Sequence, residues 1–132
     1  MKRLLIDMDD VICENGFIRM INEFLGTNYK SEDANSYYVN DLIPKDKFEE
    51  WVKFFEEKNV YDYVNIVKDA PEVIEKLNEF YDIYIITAYI FRDKPEISGS
   101  QLKNKFDYLT KNLPFIDPKK FIFLSDKELV DA

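Results

Sequence analysis

The apolar run Leu4-Leu5-Ile6 stops abruptly, and the chain continues Asp7-Met-Asp9-Asp10 before returning to Val11 and Ile12. A short unbroken apolar run predicts a buried parallel strand, with chemistry at its C-terminal end. The period then changes. Phe17, Met20, Ile21, Phe24 and Leu25 fall on one helical face, with Asn15 placed to cap that helix and Gly26 to end it. Residues 27–43 are polar and aromatic without a clear period, and Phe48, Trp51, Val52 and Phe55 then form a second helical stripe. A short apolar stretch, Val60–Val67, closes this part.

Asp69-Ala70-Pro71-Glu72 predicts a helix start, with Asp69 as N-cap, proline in the first turn and Glu72 at the capping-box position. The stripe Ala70, Val73, Ile74, Leu77 and Phe80 follows. Asp82-Ile-Tyr-Ile-Ile-Thr87 reads as a second buried strand. Leu102, Phe106, Leu109 and Leu113 mark a helix that stops before Pro114, and Lys120-Phe-Ile-Phe-Leu124 reads as a third strand.

Strands alternating with helices predict an α/β, Rossmann-like parallel sheet with a site at the strands' C-terminal ends. Asp7, Thr87 and Lys127 each lie just past such an end, so one pocket can collect them. The core is expected over residues 1–14 and 66–132, with a small helical cap over 15–65 inserted after the first strand. Two neighbouring carboxylates repel unless a cation lies between them or one carries a proton. Asp7 and Asp9 therefore suit a hard-metal site, with one carboxylate as nucleophile and the other as acid and base. Taken singly, Thr87 is equally a strand-end residue and Lys127 a solvated turn lysine; their order along the chain is what favours a site.

Composition narrows the classes. The chain has 132 residues and a formal net charge of −8, which disfavours a binder of polymeric nucleic acid, since that role needs a basic face. There is no His and a single Cys, Cys13, so a histidine base, a zinc cluster and an internal disulfide are excluded. No stretch approaches a membrane span and no signal-peptide pattern opens the chain, so a soluble cytoplasmic protein is expected.

The opening Asp7-Met-Asp9 after an apolar strand resembles the first motif of the haloacid dehalogenase-like phosphotransferases. Within that superfamily the chain is most similar to the 5'(3')-deoxyribonucleotidases. The resemblance extends over Phe55-Glu-Glu-Lys-Asn59-Val-Tyr61, the Ala70-Pro71 helix start, Tyr84-Ile-Ile-Thr87-Ala88, the helix around Lys105 and Phe121-Ile-Phe-Leu-Ser-Asp-Lys127. It implies a phosphomonoester hydrolase for (deoxy)nucleoside monophosphates that works with Mg2+ through an aspartyl-phosphate. Asp7 would be nucleophile, Asp9 acid and base, and both would be metal ligands. Thr87 would hold a phosphoryl oxygen, Lys127 would be the phosphate-stabilising lysine and Lys105 a second basic residue. Phe17, Tyr37, Tyr38 and Tyr61 would hold the base, or else form cap core, with Ala88 also at the substrate.

Three departures stand out. Asp10 occupies a position that is Gly in many relatives, and Ala88 one that is commonly Ser. The family's last acidic motif is expected some ten residues past Lys127, whereas the sequence ends at Ala132. On one reading the chain lacks a metal ligand and a final strand, holds magnesium weakly and hydrolyses slowly or not at all. It would then bind a nucleotide or a protein partner without turnover, and its open sheet edge would favour homo-oligomers. On the other, Asp126 and Asp131 supply the acidic motif, and Lys103 or Lys105 is the phosphate lysine. A phosphatase for another small phosphomonoester is a further alternative.

Overall fold

The computed structural model describes residues 1–33, 39–88 and 95–125. The chain separates into two compact units: Met1–Glu14 with Ile66–Ala132, and Asn15–Asn65.

The first unit is built on a parallel sheet of β1 (Arg3–Asp7), β4 (Asp82–Ala88) and β5 (Phe121–Leu124), in the order β1-β4-β5. This is the parallel α/β arrangement expected from the alternating elements. Asp7 pairs with Ile86, and Ala88 with Leu124, so the three C-terminal ends lie together. Ile83, Ile85 and Thr87 on one face of the central strand and Ile86 on the other are buried, as a strand covered on both faces requires. The two-residue strands β2 (Cys13–Glu14) and β3 (Asn65–Ile66) stand where the chain leaves and re-enters this unit. Two helices complete it, α3 (Ala70–Leu77) and α4 (Pro95–Asn112); Ile74, Leu109 and Leu113 are buried.

The second unit carries α1 (Gly16–Leu25) and α2 (Phe48–Glu57), with short 3-10 turns between and after them. Met20 and Ile21 are fully buried, and Ile18 joins them although it lies off the expected stripe. Trp51 is buried and packs against Phe24 and Phe54, with ring centroids 5.6 and 6.1 Å away. A side chain on Gly16 would collide with Val60 and Val64, at 2.9 and 2.7 Å from its first carbon. Arg19 reaches the Tyr63 carbonyl at 2.6 Å and the Asn65 side chain at 2.7 Å, while the Tyr63 hydroxyl donates to Glu23. The beginning and the end of this unit are thereby fastened to each other.

Three local expectations differ from what is observed. Asn15 and Asp69 precede their helices in the left-handed region, with φ of 66° and 63°, and neither side chain makes a capping bond. An N-cap side chain reaches the first free N–H groups from extended backbone, and left-handed backbone aims it elsewhere. The α3 stripe also ends early. Phe80 falls in the turn after a helix of only eight residues and stays 65% exposed, while Val73 faces solvent beside buried Ile74. Gly26 does end α1 as expected, at φ 70°, with its N–H on the Asn22 carbonyl.

Candidate active site

The end of β1 turns sharply. The Met8 carbonyl receives the Ile12 N–H at 2.8 Å and those of Val11 and Cys13 at 3.4 Å, and Asp10 donates its N–H to the Cys13 carbonyl at 2.7 Å. Met8 remains joined to the sheet through its N–H on Ile86. This loop lifts Asp9 out of the strand and points its carboxylate across the strand ends.

Lys105 meets it there. This lysine sits on α4 one turn before Leu109, on the helix face turned inward, and is only 2% exposed. Its ammonium lies 2.9 Å from Asp9 Oδ2 and 2.6 Å from Thr87 Oγ. A lysine is almost never fully buried without a partner, and here the partner is a carboxylate that remains about half exposed. Thr87, fully buried near the end of β4, accepts from the ammonium and directs its own hydroxyl hydrogen toward Asp9 Oδ2, at 3.5 Å. On the other side, the Cys13 sulfur lies 4.0 Å from Asp9 Oδ1. Burial, and next the Asp9 charge, push the Cys13 thiol up to about 12, so it stays protonated.

Of the residues singled out in the sequence, the structure brings Asp9, Thr87 and Lys105 into contact. Asp7 closes β1 at the same end of the sheet, and Ala88 closes β4. Lys105, expected as a second basic residue or, on the alternative reading, as the phosphate lysine, is the lysine that meets Asp9 and Thr87 among the described residues. The alternative phosphate lysine, Lys103, is exposed and bonds Asp107 one helical turn away at 2.7 Å. Lys127, Tyr37, Tyr38, Asp126 and Asp131 lie outside the described residues. Phe17 and Tyr61 belong to the second unit. Phe17 is partly exposed and stacked on Phe55 at 5.4 Å, whereas Tyr61 is buried in a turn that Asn59 caps.

Two residues gave less warning. Lys105 stands next to Phe106 in the stripe Leu102, Phe106, Leu109, Leu113 and one turn before Leu109, so a charge borders the apolar face there. The role of Cys13 beside Asp9 has no counterpart in the sequence, because it depends on how the loop turns back.

Comparison with known proteins bears on what this group is for. The profile of the "5' nucleotidase, deoxy (Pyrimidine), cytosolic type C protein" family matches residues 1–132. The chain belongs to this nucleotidase family. A Staphylococcus epidermidis protein (strain RP62A) named "Putative 5'(3')-deoxyribonucleotidase" is 30% identical over 133 residues, covering 99% of this chain and 70% of its own. A Staphylococcus aureus protein (strain Mu50) of the same name is 29% identical over the same span. Among solved structures, a haloacid dehalogenase-like family hydrolase from Streptococcus pneumoniae is similar, with a TM-score of 0.48 and 16% identity. The chain spans 97% of its own length in that comparison and 63% of the hydrolase's.

For a nucleotidase of this family the donor set is informative. Asp7 and Asp9 offer hard oxygen atoms, and no group of three or more His, Cys, Asp or Glu side chains converges on a metal position among the described residues. Two carboxylates suit Mg2+, which keeps several waters and draws further oxygens from a substrate phosphate. No helix among the described residues is long and apolar enough to cross a membrane.

Proposed function

We propose that this protein hydrolyses nucleoside monophosphates, deoxyribonucleotides among them, with Asp7 as nucleophile and Asp9 as acid and base. The observation that carries the reading is the buried Lys105 ammonium held between Asp9 and Thr87, at the strand ends where Asp7 also stops.

In the first step an Asp7 oxygen bonds to phosphorus as the bond to the ester oxygen breaks, and Asp9 gives that oxygen its proton. In the second, Asp9 takes a proton from water, the water oxygen bonds to phosphorus, and the bond to Asp7 breaks to release phosphate. Charge builds on the equatorial phosphoryl oxygens in both steps. The Lys105 ammonium and the Thr87 hydroxyl are donors preorganised at that place, where low exposure makes them strong. Asp7 and Asp9 would hold Mg2+, which when bound screens the approaching anions and polarises the phosphoryl group. Residues 15–65 would act as a cap that presents the base to Phe17, Tyr37, Tyr38 and Tyr61. Stacking of this kind contributes about 1–3 kcal/mol per base in single-strand binders. Ala88 leaves room beside the phosphate and adds no donor. Lys127 would be a second cation at the phosphate.

The test is phosphate release from a panel of deoxyribonucleoside and ribonucleoside monophosphates, with and without Mg2+. Magnesium-dependent release is expected, and Asp7→Asn should abolish it without lowering the melting temperature. Full activity in Asp7→Asn would remove the nucleophile from this account. A folded protein that binds nucleotides and releases no phosphate would favour a binding role.

A further inference from the structure

The bonding of β1 to its neighbour decides what its outer edge presents. The Lys2 carbonyl takes the Asp82 N–H at 2.9 Å, and the Met8 N–H reaches the Ile86 carbonyl at 3.2 Å. Between them Arg3 lies opposite Asp82 and Asp7 opposite Ile86. Along such a strand successive residues turn their N–H and C=O groups to opposite sides. Lys2, Leu4, Ile6 and Met8 therefore bond to β4, and Arg3, Leu5 and Asp7 present theirs on the far side. Among the described residues no strand lies there. Leu4, Leu5 and Ile6 are only half-buried, whereas Ile83 and Ile85 beside them in β4 are fully buried. Edge strands are ordinarily guarded by a lysine, a proline or a bulge, and Leu4-Leu5-Ile6 contains neither lysine nor proline.

We propose that β1 is the interface of a homodimer, in which two copies of the strand pair antiparallel about a two-fold axis through Leu5. The occupant of the edge follows from the strand itself, because Arg3-Leu4-Leu5-Ile6-Asp7 is complementary to its own reverse. With Leu5 facing Leu5 of the second copy, Arg3 stands opposite Asp7 and Leu4 opposite Ile6. The outward groups of Arg3, Leu5 and Asp7 then all fall in hydrogen-bonded pairs, while Leu4 and Ile6 fall in the closer, non-bonded pairs. Opposite charges meet at both ends of the contact and apolar side chains between them. The smallest slip that keeps the bonding is two residues, and it sets Leu5 against Arg3 or against Asp7. A two-fold contact buries this edge in both copies at once. It also brings the guanidinium of one copy beside Asp7 of the other, a charge of the sign that a phosphate site needs. The interface stands independently of the proposed function, and its tests need no activity.

The first experiment is sedimentation equilibrium over a wide range of protein concentration. A species of twice the chain's mass is expected to accumulate as concentration rises; a monomer throughout overturns the proposal. Arg3→Glu and Asp7→Lys, each taken alone, set like charges opposite each other at both ends of the contact and should weaken association. Mixed, they restore an opposite pair at each end, so a heterodimer should form. Association in either variant as tight as in the parent, or a mixture no tighter than its components, overturns the proposal.

The second experiment reads the register, and it stands even where a charge variant fails to fold. Leu5→Cys places two thiols at the two-fold axis, in a pair whose Cα atoms are about 5.5 Å apart and within disulfide reach. Cys13 is the only native cysteine and is 1% exposed, so it does not compete. Mild oxidation should link Leu5→Cys into dimers and leave Leu4→Cys, which has Ile6 opposite, unlinked. Linking in Leu4→Cys as fast as in Leu5→Cys, or linking in neither, overturns the proposal.

Discussion

At Asp10 the backbone has φ 66°, the left-handed region that glycine enters freely and other L residues enter at a cost of roughly 1–2 kcal/mol. Glycine would suit the position without strain, and Asp is among the few other residues that tolerate it because its short side chain bonds locally. Asp10→Gly should keep the fold and raise stability by about 1 kcal/mol or less, part of the relief being lost to a freer unfolded chain. Thermal unfolding checks it; a marked loss would mean that the Asp10 side chain holds the loop. The nucleophile strand is legible from Leu4-Leu5-Ile6-Asp7, because an apolar run ending in acids suits a buried strand that opens onto a polar site and little else. Thr87 is legible on the same ground, at the end of its own apolar run. Lys105 reads as a minor contributor because a lysine on a helix is usually solvated; its burial follows from α4 presenting Leu109 and Lys105 on one face, a matter of helix phase that four apolar letters do not fix.

Among the elements, α1 and its exit show how much a polar residue can do unnoticed. Asn22 accepts from the Thr27 hydroxyl at 2.9 Å and the Tyr29 N–H at 2.8 Å, and donates to the Tyr29 carbonyl at 2.9 Å. It thereby organises the turn that Gly26 begins. Asn22→Ala should cost about 2 kcal/mol, by the sum of bonds lost at part-buried positions, read as a lower melting temperature. At the other end of the core sheet, Lys120 bonds Asp82 at 2.6 Å, and that bond above all lowers the Asp82 carboxyl and raises the Lys120 ammonium. A lowered carboxyl contributes stability above the ordinary range of Asp and loses it as pH falls through the lowered value. A raised ammonium contributes below the ordinary range of Lys and loses it as pH rises through the raised value. The difference in melting temperature between the parent and Lys120→Met should be greatest near neutrality and close toward both extremes. It should also be small, since both groups meet solvent. Helix positions are readable from apolar spacing; the caps are not, because Asn15 and Asp69 have the right chemistry in the wrong backbone conformation. Chemistry is written in the letter, whereas φ is set by what the neighbouring strands require.

For the whole molecule, the order of elements along the chain has a kinetic consequence. Among the described residues the partner of β1 is β4, and everything from Met8 to Tyr81 lies between them. Closing so long a span costs entropy before any contact repays it, so the parallel sheet is the slow event in folding. The fastening of Gly16 against Val60 and Val64, and of Arg19 to Tyr63 and Asn65, shortens that span. Once the second unit is formed, its two ends are already neighbours, and β1 has far less chain left to close around. That unit is also synthesised before β4 exists. Nature has supplied one reporter for each event: the single tryptophan, Trp51, is buried in the second unit, and the single cysteine, Cys13, in the first. On refolding, Trp51 fluorescence should recover in a fast phase and protection of the Cys13 thiol from alkylation in a later one. Simultaneous recovery would mean that the two units fold as one cooperative body. With the expected order, a ribosome-bound chain would already display a finished second unit while Asp9 still waits for the strand that will bring Thr87 to it.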